Sequence, residues 1–150
     1  TIWDDAGAVY FFSDIDTALT GTDLDPESLY DAKVLCGNAD CALGFTLGNP
    51  GDVDGDGTDD VFVREYDGTD IGETAWLFGG HLLSGDLEQD EAAIMGFVTE
   101  SVGANTGHMM MTGDFDGDGA LDIVISAYGY QTSATTTGKV YVYLSSTWGY

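Results

Sequence analysis

Two short segments of this chain nearly repeat each other, and they constrain its fold more than any other feature. Gly51-Asp52-Val53-Asp54-Gly55-Asp56-Gly57-Thr58-Asp59-Asp60 returns as Gly113-Asp114-Phe115-Asp116-Gly117-Asp118-Gly119-Ala120-Leu121-Asp122. Each runs into a β-prone stretch, Val61-Phe62-Val63 or Ile123-Val124-Ile125. Aspartates at the first, third, fifth and ninth positions of a tight glycine-rich loop concentrate more negative charge than a bare turn tolerates. A hard divalent cation relieves that repulsion, and calcium suits a flexible, carboxylate-rich donor set best.

The spacing predicts the ligands. Acids alternate with small residues, so a curling backbone aims Asp52, Asp54 and Asp56 at one centre. Gly57 permits the sharp turn, the carbonyl of Thr58 offers a further oxygen, and Asp60 closes the shell from the first residue of the strand. The second loop assigns the same roles to Asp114, Asp116, Asp118, the carbonyl of Ala120, and Asp122. About two calcium ions are therefore expected. An EF-hand also opens on alternating acids, but it needs a glutamate at position twelve and flanking helices. Val63 and Ile125 stand there instead. A solvated acidic turn is the bland alternative for one isolated loop. Two copies in matched context favour the metal.

The charge balance narrows the partners. The 150 residues hold 27 acids against 3 bases, a net charge of −24. Nucleic acid and anionic membrane would be repelled. No apolar stretch reaches membrane-spanning length, so no membrane insertion is expected. An apolar content of 43% fits a folded chain with a core. The acidic excess suits a calcium-rich or saline exterior, where screening softens self-repulsion, and the expected location is secreted or cell-surface. The chain opens on Thr1 with no initiating Met, which reads as a processed or excised segment. Cys36 and Cys41 have no further Cys or His nearby to complete a zinc site. A small disulfide-closed loop is preferred over two buried thiols.

The similarity extends beyond the loops. A Gly- and Thr-rich connection follows each loop and strand, and then another strand begins, Ala75–Gly79 or Lys139–Leu144. A third copy of that strand, Gly7–Phe12, opens the chain. Leu19-Thr20-Gly21 and Leu83-Ser84-Gly85 lie downstream, followed by apolar runs at Ala32–Leu35 and Ala92–Met95. Glycine-led approaches, Gly44–Gly48 and Gly107–Met111, lead to the loops, with Asn49-Pro50 adding one residue to the first. Single helical turns are expected at Asp25–Tyr30 and Glu88–Glu91. Short strands repeating at this period indicate an all-β fold of stacked four-stranded antiparallel sheets.

The aspartate loops, the strands after them and the Gly-x-Val-Tyr-Val-Tyr strand resemble FG-GAP repeats, the calcium-binding blades of integrin α-chain β-propellers. The likeness is closer still to secreted bacterial proteins with integrin-like repeats. Gly44-Phe45 stands near one of the family's name motifs, while Glu65-Tyr66 and Ala127-Tyr128 replace the usual Gly-Ala-Pro. The resemblance implies β-propeller blades, about two of them plus partial ends. Residues 1–43 end a preceding blade, 44–106 form a blade with calcium loop 52–60, and 107–150 form one with loop 114–122 that lacks its last strand. Such propellers usually need more units than this chain holds. Further blades of the same polypeptide are expected, with identical copies in an oligomer or filament as the alternative.

The implied function is a calcium-rigidified extracellular module for adhesion or scaffolding, not an enzyme. An accessory domain of a secreted polysaccharide-active hydrolase or lyase is a further alternative. His81 and His108 occupy different repeat positions and read as packing or surface residues. The serines show no nucleophile-elbow pattern. Met109-Met110-Met111 reads as adaptable core filler, and Trp3, Trp76 and Trp148 as core. The Thr132–Thr137 loop is small and hydroxyl-rich, a plain loop or a carrier of O-glycans. Strand alternation puts it opposite the calcium loops, with the Cys36/Cys41 connection and the loop starting at Tyr66. A protein or glycan ligand is expected on that face, at Tyr66, Tyr128 and Tyr130.

Overall fold

The computed structural model describes residues 7–13, 25–37, 41–66, 74–98, 100–132 and 135–147. The chain-end residues Ile2, Trp3, Trp148, Gly149 and Tyr150, Leu19-Thr20-Gly21, the loop beyond Tyr66, and Ser133-Ala134 lie outside them. Strands make up 47% of the described residues and the helices are single turns, the all-β class expected.

Three sheets follow one another along the chain. The first pairs β1 (Ala8–Phe11) antiparallel with β2 (Ala32–Leu35). The second is a four-stranded antiparallel meander of β3 (Thr46–Gly51), β4 (Asp60–Arg64), β5 (Thr74–Phe78) and β7 (Met95–Val98). The third runs β8 (Thr106–Gly113), β9 (Asp122–Ala127) and β12 (Lys139–Tyr143). Each acidic loop joins the first two strands of its sheet. The additional residue at Asn49-Pro50 becomes a β-bulge between Gly48 and Gly51. A second bulge lies between Thr106 and Met110.

The middle sheet is apolar on both faces, and strand alternation sends each face to its own core. Val63 and Phe78, with Val61 and Trp76 beside them, pack on Val9 and Val34 of the first sheet. Phe62, Ala75, Leu77 and Phe97 pack on Ile123 and Ile125 of the third. This accounts for the near-continuous apolar run of β4, which a half-exposed sheet would not tolerate. Gly107 is required at the second junction. Its φ is 76°, and a Cβ there would come within 2.4 Å of the Ala75 Cβ.

Local expectations hold where the signals are local. Pro26–Leu29 forms one helical turn, capped by the Asp25 carboxylate accepting from the Glu27 N–H at 3.1 Å. The second turn spans Gln89–Ala92, so the outer strand starts at Met95 and not at Ala92. The Thr-rich connection is partly a ribbon, β10 (Gln131–Thr132) against β11 (Thr135–Thr136). The methionine run splits. Met110 packs into the second core, while Met109 and Met111 point outward and are exposed.

One strand departs from the expected meander. β6 (Gly85–Glu88) leaves the second sheet and pairs in parallel with β2 of the first, Lys33 opposite Asp86. The disulfide between Cys36 and Cys41 lies close by, both cysteines buried in the first core. It ties the end of β2 to the segment that leads into β3.

Phe62 is 1% exposed at the centre of the second core. Phe62→Ala is expected to lower unfolding stability by about 3–5 kcal/mol, measured by urea denaturation, because the rigid sheets on either side cannot collapse into the void.

Candidate metal centre

The two loops share most of one hydrogen-bond scheme, and they differ at the first aspartate, where Asp114 Oδ1 accepts from the Gly117 N–H at 2.6 Å while Asp52 Oδ1 has no donor. The Gly57 N–H donates to Asp52 at 2.9 Å and the Gly119 N–H to Asp114 at 3.1 Å. Asp54 accepts from the Asp56 N–H and Asp116 from the Asp118 N–H, both at 3.1 Å. Asp56 accepts from the Thr58 N–H at 2.7 Å, and Asp118 from the Ala120 N–H at 2.9 Å. The carboxylates thus organise the turn that carries them. Gly57 and Gly119 sit at φ of 95° and 93°, with open space where a Cβ would stand. Glycine is needed there for the backbone angle, not for room.

The ninth-position aspartates are the anchors. Asp60 is 1% exposed and Asp122 fully buried. One oxygen of Asp60 accepts from the Val53 N–H at 2.8 Å, and the matching oxygen of Asp122 from the Phe115 N–H at 2.8 Å. The other oxygen of each accepts from a 3₁₀ turn just past the third strand of the sheet. That turn is Gly80–Leu82 in the second sheet and Ser145–Thr147 in the third. The Gly80 N–H lies at 3.3 Å from Asp60 and the Ser145 N–H at 2.8 Å from Asp122. The lengths matter. Burial dominates at Asp60 and raises its pKa, whereas the shorter bond from Ser145 dominates at Asp122 and lowers it.

Ligand oxygens of Asp52, Asp54 and Asp60 lie within 4.8 Å of one another, as do those of Asp114, Asp116 and Asp122. Oδ1 of Asp52 is buried and accepts no hydrogen bond. A buried anionic oxygen without a donor, facing two more carboxylates, fits a cation better than it fits solvent. The fifth-position aspartates, Asp56 and Asp118, stand at the mouth beside the 3₁₀ turns. His81 Nδ1 pairs with Asp56, and the Ser145 hydroxyl donates to Asp118 at 3.1 Å. Thr58 and Ala120 occupy the positions from which carbonyls were expected to contribute, following Asp56's and Asp118's glycines in each turn. A cleft of about 510 Å³ separates the loops, with Asp52 and Asp54 on one side and Asp118 and Leu121 on the other.

Residues 110–143 match the family model of the FG-GAP repeat, a span running from β8 through the second acidic loop to the end of β12. Residues 110–143 thus form an FG-GAP-like repeat. No curated protein matches the chain. The first loop, outside the matched span, repeats most of the hydrogen bonds of the second, which lies inside it.

The tyrosines of the expected ligand face are held separately. Tyr66 stacks on Phe45 at 5.2 Å, Tyr128 meets His108 edge-on at 5.0 Å, and Tyr130 lies under Lys139 at 4.4 Å. Sequence reasoning missed Gly80, His81 and Ser145. Their common position just after the third strand of each sheet was the available signal.

Because nothing lies within 4 Å of a Cβ built at Gly57 or Gly119, alanine there meets only backbone strain. Gly57→Ala is expected to cost about 1–2 kcal/mol in chemical denaturation. Gly80→Ala is expected to cost more, since its Cβ would fall 2.2 Å from the Asp59 carbonyl oxygen and push the turn off the loop.

Proposed function

We propose that this chain is an extracellular, calcium-binding, integrin-like repeat module that serves adhesion or scaffolding, with calcium rigidifying its blades. The observation that carries the reading is the donorless, buried Oδ1 of Asp52 among the carboxylates of its loop. Asp52, Asp54, Asp56, the Thr58 carbonyl and Asp60 would hold one ion. Asp114, Asp116, Asp118, the Ala120 carbonyl and Asp122 would hold the other. Each ion would offset the mutual repulsion of the carboxylates and pin the loop between its sheet and its 3₁₀ turn.

The module is non-enzymatic in this reading. The prominent acids are committed to the loops, and the two histidines lie against Asp56 and Tyr128. Titration calorimetry on calcium-stripped chain should give about two sites in the ~10⁻⁵ to 10⁻³ M range of extracellular modules. No heat and no thermal stabilisation on adding calcium would sink the proposal. Asp54→Ala should speed amide exchange mainly in the second sheet and Asp116→Ala mainly in the third, because repeats couple chiefly to neighbours. Equal effects in both sheets would contradict the local role of each ion.

The partners proposed are further sheets of the same kind, from the same polypeptide or from identical copies. The outward face of the third sheet supports this. Met111, Val124 and Val142 are direct cross-strand neighbours there, and Met109 and Val140 extend the row. Met109 is 69% exposed and Val140 62%. The opposite face of the same sheet is buried against the second, so the outward row is built like a sheet junction. Light scattering on the 150-residue chain in calcium should show association, and a compact monomer would refute it.

A further inference from the structure

The two loops are alike in glycine angles and in their aspartates, and they differ in the side chain that meets the fifth-position aspartate. Where the second loop meets the hydroxyl of Ser145, the first meets the imidazole of His81. We propose that His81, with Asp54 and Asp56, makes the first loop a site for a first-row transition dication such as zinc or cobalt, which the second loop does not offer.

The geometry is specific to this loop. One ligand atom from each of Asp54, Asp56 and His81 falls within 4.8 Å of the others, and the second loop has no nitrogen donor in its corresponding group. His81 is held in place by its own turn. The Gly80 N–H bonds Asp60 at 3.3 Å, and a Cβ on Gly79 would meet the His81 ring at 3.2 Å. The turn thus fixes the His81 backbone beside the loop, and the imidazole reaches Asp56 from it. Its side chain remains 43% exposed, which leaves an open approach for an ion.

The chemistry separates the two loops. Carboxylate and carbonyl oxygens suit calcium, while an imidazole nitrogen favours the later first-row metals and adds little for calcium. A serine hydroxyl in the second loop is a weak neutral oxygen donor and makes no such distinction. Asp54 belongs to both groups, with Asp52 and Asp60 on one side and Asp56 and His81 on the other. The first loop thus presents an all-oxygen and a mixed nitrogen–oxygen coordination side by side.

This inference rests on the reading of the loops as cation sites, so the test separates the two. The full chain, stripped of metal, is titrated with cobalt(II) by calorimetry and visible absorption, and in parallel with calcium. One cobalt ion per chain should bind more tightly than any other. His81→Ala should weaken that site at least about tenfold while leaving calcium stoichiometry unchanged, which also reports that the loop remains folded. Asp116→Ala, in the second loop, should leave the tight cobalt site intact. Equal cobalt affinity with and without His81, or two equivalent cobalt sites in the unaltered chain, overturns the inference alone if calcium still binds. A chain that takes up neither ion overturns the underlying reading as well.

Discussion

A buried carboxylate at the first residue of the second strand holds each repeat together. Asp60 and Asp122 each spend one oxygen on the start of their own acidic loop and the other on a turn beyond the third strand. Three segments distant in sequence converge on one side chain. The sheet positions that side chain, and the side chain in turn positions the loop whose remaining aspartates face one another. The opposite pKa directions of the two carboxyls follow from this shared design, since each balances burial against the donors that reach it.

The scarcity of cations shapes the rest. A chain with 27 acids and 3 bases places all three bases in built environments. Lys33 lies over Tyr10 and Tyr30 and pairs with Glu27 at 3.2 Å. Lys139 lies over Tyr130 and Tyr141 and pairs with Glu100. Arg64 is fully buried beneath Phe45 and Tyr66, and its guanidinium donates to the Thr106 carbonyl and to Asn105 across the sheet junction. A cation over aromatic faces gains more when desolvated, which suits the buried Arg64 above all. Glu65, next in sequence, sits in the same repeat on the other side of the strand, accepting from Trp76 and Gln89. The middle sheet therefore carries a buried polar side chain toward each neighbour, as well as an apolar face.

Local chemistry was legible in the sequence, and distant pairing was not. The acidic loops, the strands after them and the proline-led turn at Pro26 all depend on residues near each other in the chain. The methionine run reads as core filler in the sequence, yet alternation along β8 turns only Met110 inward and leaves Met109 and Met111 exposed. β6 was hidden because Gly85-Asp86-Leu87-Glu88 has one apolar residue and no β-branched one. Its pairing is decided by β2, a strand from another repeat. His81 was hidden for a related reason. Its place after the third strand was the one local signal, and its contact with Asp56 exists only once the 3₁₀ turn has folded back over the loop.

The parallel excursion of β6 means that covalent order and hydrogen-bond order do not share boundaries. During synthesis the outer edge of β2 stays unsatisfied until Glu88 has emerged, long after the first sheet's own strands are complete. The second sheet must begin to form before the first can be finished. The first sheet is thus stitched to the second as cloth is lapped at a seam, and cutting the chain between those repeats would leave a strand edge open. Shuffling such units in evolution requires moving the overlap together with the unit, because the heritable module is longer than the visible repeat.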